Sequence, residues 1–158
     1  MPRSRPVGRS AIDRRTKICL WVIIVGLGNF LAYTMMYALI GGEAVNGTIL
    51  QMPDGETVYR LQSGREVSAV TFVYSGIHSI SIWPTAMAVL LAMLTLAKDR
   101  IIDSMQKGVL RGRSVCTLLA VLIAISMAGL TFLFIRQFVS HFDHPVRITE
   151  TTRAPHRP

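Results

Sequence analysis

The chain has 158 residues, 51% of them hydrophobic and only 16% charged, with a mean hydropathy of +0.43 and a net charge of +8. Soluble domains carry roughly 25% charged residues, so this composition excludes an ordinary water-soluble globule, while the apolar content excludes disorder and two cysteines exclude a disulfide framework. The basic excess lies beside long apolar runs, which points to membrane orientation rather than to nucleic acid.

Residues 1–17 form a basic arm, with Arg3, Arg5, Arg9, Arg14, Arg15 and Lys17 against Asp13. The next 23 residues, Ile18 to Ile40, carry no charge. A helix of that length spans about 34 Å, enough for the ~30 Å hydrocarbon core. The run exceeds the ~7–15 apolar residues of a signal peptide. Its exit, Ala38-Leu39-Ile40-Gly41-Gly42, is a poor cleavage site, so a retained anchor is expected.

Residues 41–66 read as a hairpin loop. Gly41-Gly42 ends the first helix. Two β-prone runs, Thr48 to Gln51 and Thr57 to Leu61, flank Pro53-Asp54-Gly55-Glu56, which sets a fixed φ at proline and a positive φ at glycine. Ser63-Gly64 supplies a second turn. Asn46-Gly47-Thr48 fits a glycosylation acceptor, but Asn-Gly is also a tight-turn pair, and the turn is the expectation. Two short strands are marginal in water, so the hairpin is expected to lean on the membrane surface or a partner.

Ser68 is placed to cap a second helix over 67–98. Its first half, speckled with Ser, Thr, Tyr and His78, is expected at the interface, and its second half in lipid, with a kink at Pro84. Residues 99–114 form a second basic segment. The uncharged run Val115 to Ile135 marks a third span over 115–138, and residues 139–158 read as a flexible tail.

Bilayer interiors admit only helices and closed barrels, and barrel strands alternate in polarity, which these runs do not. The fold class is therefore an all-α membrane protein with three transmembrane helices and a small extracytoplasmic β-hairpin between the first two. Three spans put eleven basic residues on one side and six on the other. The positive-inside rule then predicts a cytoplasmic N-terminus and 99–114 segment, with the hairpin and C-terminus outside.

Gly41-Gly42-x-Ala44-x-Asn46-Gly47, followed by Glu66-Val67-Ser68, Tyr74-Ser75, His78, Ser81 and Pro84, resembles small multi-pass bacterial membrane proteins of unassigned function. The resemblance covers about residues 18–94. It implies a bacterial inner membrane and no activity.

His78 lies one helical turn after Tyr74, and Glu66 is close enough in sequence to fold back, so these three are the candidate interaction residues. Cys19 and Cys116 read as small packing residues. His141-Phe142-Asp143-His144 holds too few ligands for zinc and reads as a solvated tail. No Asp, Glu, Lys, Arg or His stands at lipid depth, which disfavours a transporter, and no nucleophile, phosphate-loop or metalloprotease motif occurs. Small residues recur at helical spacing: Ala88 and Ala92 in the second span, Ala120, Ala124 and Ala128 in the third, Gly28 and Ala32 in the first. Such stripes let helices approach closely in lipid. The expected partners are the lipid bilayer and a protein partner or second copy, with no cofactor, metal or nucleic acid. The expected function is a non-catalytic accessory or interaction subunit of a membrane assembly. The alternatives are an extracytoplasmic sensor or ligand-binding module, and a small transporter or membrane-enzyme component.

Overall fold

The structure, a computed structural model, describes residues 13–104 and 112–148. Three helices dominate it: α1 (Arg14–Ile40), α2 (Ala69–Ser104) and α3 (Gly112–Asp143). Each is long and apolar enough to cross a membrane, so the chain is built as a multi-pass membrane protein. The cores of the expected arm and basic segment, 1–12 and 105–111, lie outside the described residues, as do residues 149–158.

Local chemistry sets the helix ends. Gly41 takes φ +86°, and the N–H groups of Gly41 and Gly42 donate to the Tyr37 carbonyl at 2.9 and 3.1 Å. The left-handed glycine thereby satisfies an otherwise orphaned carbonyl. At the start of α2, Ser68 Oγ accepts from the Thr71 N–H at 3.2 Å, as a capping serine does. The helix begins at Ala69 rather than 67, because Glu66–Val67 is drawn into a strand. It runs unbroken through Pro84 and on to Ser104, past the expected end at Lys98.

α2 is the central helix. It packs against both α1 and α3, which make no extensive contact with each other. Against α1 the close approach falls at Gly26, where a Cβ would strike the Val89 side chain. Gly28, two residues on, faces open space. On α3, Ala120 and Ala124 lie half-buried while Ala128 is exposed. Steps of four residues advance about 40° beyond a full turn, so Ala128 is rotated about 80° from Ala120 and leaves the seam. The buried line passes instead through Thr131, Phe134 and Phe138. On α2, Ala92 is buried and Ala88 is exposed at the edge of the α1–α2 cleft. The expected small-residue faces are thus only partly spent on packing within the chain.

The hairpin forms with β1 (Thr48–Gln51) antiparallel to β2 (Thr57–Arg60), Thr48 opposite Arg60 and Gln51 opposite Thr57. Gly55 is left-handed at φ +87°, and the Asp54 carboxylate accepts from the Glu56 N–H at 3.1 Å. Two strands absent from the sequence reading complete a four-stranded sheet. β3 (Glu66–Val67) pairs antiparallel with β2, and β4 (Val146–Arg147) pairs parallel with β1. The expected flexible tail is therefore ordered in its described part. α3 continues to Asp143, Pro145 ends it, and the chain then lies along the free edge of β1.

The sheet packs on the helix ends of its own chain. Phe72 of α2 is fully buried among Ala44, Val45, Ile49, Leu61 and Phe138. Its ring lies 5.9 Å from Phe138 and 5.5 Å from Tyr59. Gly76 lets Phe138 reach this core, since a Cβ there would collide with the ring.

Candidate functional site

The densest polar cluster lies where the sheet meets the helix ends. α1 brings Tyr33 one turn before its last, and the two glycines then turn the chain so that Glu43 comes back over it. Tyr33 Oη donates to Glu43 Oε2 at 2.9 Å. Asn46 Nδ2 donates to Glu43 Oε1, and Gln137 Nε2 of α3 donates to Asn46 Oδ1 at 3.0 Å. Asn46 sits in the expected turn, closed by the Gly47 N–H to the Ala44 carbonyl at 2.9 Å. Gly47 is required there, because a Cβ would strike the Arg60 carbonyl.

His78 and Tyr74 lie beside this chain of contacts. His78 Nδ1 is 3.2 Å from Tyr74 Oη, and the rings meet edge-on at 5.6 Å. The other face of the imidazole packs against the Tyr33 ring at 5.7 Å. His78 Nε2 is buried and has no hydrogen-bond partner among the described residues. The imidazole is thus wedged between α1 and α2 rather than standing free in water. Tyr74 remains 47% exposed. Beneath them Tyr33, Ser75 and Gly42 line a cavity of about 10 Å³, room for one water at most.

Glu66 does not join this pair. Held in β3, it accepts from Arg60 Nη2 at 2.6 Å across the β2–β3 ladder. The carboxylate that the cluster does use, Glu43, was absent from the sequence reading, as were Tyr33 and Gln137. The only sequence signal was position: a tyrosine near a span end and a carboxylate just after Gly-Gly. Of the tail histidines, His144 is exposed as expected, whereas His141 is not. His141 lies half-buried with Nε2 2.9 Å from the Val45 carbonyl, so it fastens the loop before β1 to α3. Among the described residues no three His, Cys, Asp or Glu side chains converge as metal ligands. Cys19 and Cys116 are buried and unpaired thiols.

The arrangement links elements. Arg65, in the turn between β2 and β3, does the same: its Nη1 donates to the Leu39 and Ile40 carbonyls at 3.3 and 3.1 Å. A cation on the last carbonyls of α1 also meets the negative end of the helix dipole. No protein-family model matches this chain, and no curated protein or solved structure matches it either.

Proposed function

We propose that this protein is a non-catalytic accessory or interaction subunit of a bacterial inner-membrane assembly, with the sheet outside the cytoplasm. The observation that carries the reading is the use of the polar side chains at the sheet–helix junction. Tyr33, Glu43, Asn46, Gln137 and His141 each join one element to another. That is the economy of a scaffold. Wide apolar faces on α1 and α3 are left for lipid or for a partner helix, with Trp21, Leu31 and Phe132 all more than 60% exposed. The pairing of β1 with β4 supports an odd number of spans, since it puts the 41–67 segment and the end of α3 on one side.

Recovery of the tagged protein from mild detergent tests the role. A stoichiometric partner supports it, and a lone monomer overturns it. A reporter active only outside the cytoplasm, fused at Lys107, tests the orientation, which fails if the reporter is active.

The exposed Tyr74 beside His78 favours a second reading, an extracytoplasmic sensor or binding module. Under it, His78→Ala weakens the external interaction while membrane abundance stays unchanged, and Ile82→Ala affects packing alone. A His78→Ala protein that fails to accumulate marks the imidazole as structural and removes this reading.

A further inference from the structure

We propose that the cleft between α2 and α3 at the end remote from the sheet binds one anionic phospholipid. The cleft has a volume of about 590 Å³ and is lined by both helices. That is within the ~300–1,000 Å³ range of small-molecule sites. Leu91, Leu94 and Lys98 of α2 line one wall, and Arg113, Ala120 and Ala124 of α3 the other. Two hydroxyls also face the space, but both are already spent on their own helices. Thr95 Oγ1 donates to the Leu91 carbonyl at 2.7 Å and Thr117 Oγ1 to the Arg113 carbonyl at 3.0 Å. The interior is therefore apolar, and its charge is confined to one end.

Among the described residues lining the cleft, that end holds two cations. Lys98 is the first charged residue after an uncharged run of α2, and Arg113 the last before an uncharged run of α3. Neither has a described carboxylate within ion-pair distance, although Asp99 is the neighbour of Lys98 in sequence. Arg113 to Ala124 spans about 16 Å of helix, and Lys98 to Leu91 about 10 Å. Half of a ~30 Å hydrocarbon core is about 15 Å. The cleft thus runs one leaflet deep from a mouth bearing two positive charges. An acyl chain fits the apolar walls, and a phosphate fits between an ammonium and a guanidinium able to bind it through two N–H groups. Basic pockets between spans recognise lipid headgroups in this way. A zwitterionic headgroup would bring its own ammonium toward two like charges, so the site selects a net negative lipid.

Native mass spectrometry of the detergent-purified full chain, given phosphatidylglycerol and phosphatidylcholine in equal amounts, tests this. The wild type should retain phosphatidylglycerol over phosphatidylcholine by about tenfold. K98Q/R113Q should lose that preference while keeping phosphatidylcholine retention. Nine basic residues still oppose six in that variant (eleven less two), so its orientation is preserved. The exchange K98R/R113K keeps both charges and should keep the preference. Equal retention of the two lipids by wild type, or an excess of phosphatidylglycerol surviving in K98Q/R113Q, overturns the proposal. Displacement of the lipid by soluble glycerol phosphate overturns the cleft as an acyl-chain site.

Discussion

Gln137 Nε2 donates to Asn46 Oδ1 at 3.0 Å across 91 positions of sequence, and the same Asn46 amide donates its own N–H to Glu43. Because Glu43 also accepts from Tyr33, this single loop amide completes a polar bridge from α1 to α3. Between helices, both pack on α2, and neither packs extensively on the other. The bridge ties them at the sheet end without passing through α2, beside the links made through the sheet by Arg65 on the end of α1 and by His141 of α3 on the Val45 carbonyl.

A double-mutant cycle measures the bridge. Asn46→Ala and Gln137→Ala should each lower stability in detergent by about 0.5–1.5 kcal/mol, the ordinary net worth of a hydrogen bond. The pair should be less than additive, because the partner is already lost in either single variant. Thermal unfolding of the four proteins gives the result. Strict additivity would show that the contact carries no energy.

Gly76 and Phe138 form a steric lock. Gly76→Ala places a methyl against the Phe138 ring and should destabilise by about 1–3 kcal/mol, as overpacking does. Adding Phe138→Leu, which removes the ring from that space, should recover part of the loss. If Gly76→Ala alone melts like wild type, the α2–α3 contact at this level is looser than described.

Gly26 and Gly28 should behave oppositely. Leucine at 26 must displace Val89 and separate α1 from α2, whereas at 28 a Cβ meets nothing within 4 Å and the side chain starts into open space. Cysteine crosslinking between α1 and α2 should fall for Gly26→Leu and stay at the wild-type level for Gly28→Leu.

Arg65→Ala leaves the Leu39 and Ile40 carbonyls without their guanidinium. A cation at a helix C-terminus is worth about 0.3–1 kcal/mol, and a drop of that size is expected. High salt should narrow the difference between variant and wild type, since the dipole component is screened.

Ile148→Pro removes the N–H that donates to the Gln51 carbonyl at 3.0 Å. The strand pairing at β4 should loosen, and limited proteolysis should cut between Asp143 and residue 148 faster than in wild type. Unchanged cleavage would mean that β4 is held by its neighbours rather than by the ladder.

The parts legible in the sequence are those whose causes are local. Uncharged runs of 23 and 21 residues announced two spans, because length and apolarity alone decide whether a helix matches the bilayer. Pro53-Asp54-Gly55, Ser63-Gly64 and Gly41-Gly42 announced their turns, because φ at proline and glycine is set within the residue itself. Ser68 announced the start of α2 within a residue for the same kind of reason.

Tertiary structure alone decided what depends on distant partners. Glu66 went to Arg60 because strand pairing set them opposite, and Glu43 took its place in the Tyr33 cluster. Val146–Arg147 became a strand because β1 offered an unpaired edge, which no feature of the tail itself reveals. Ala124 stayed near the α2 seam and Ala128 left it, because a four-residue step drifts around a 3.6-residue helix. Which helix stands in the middle follows from the same non-local packing: three runs of similar apolarity carry no mark of order, and α2 is central because both Gly26 and Phe138 find their fit on it.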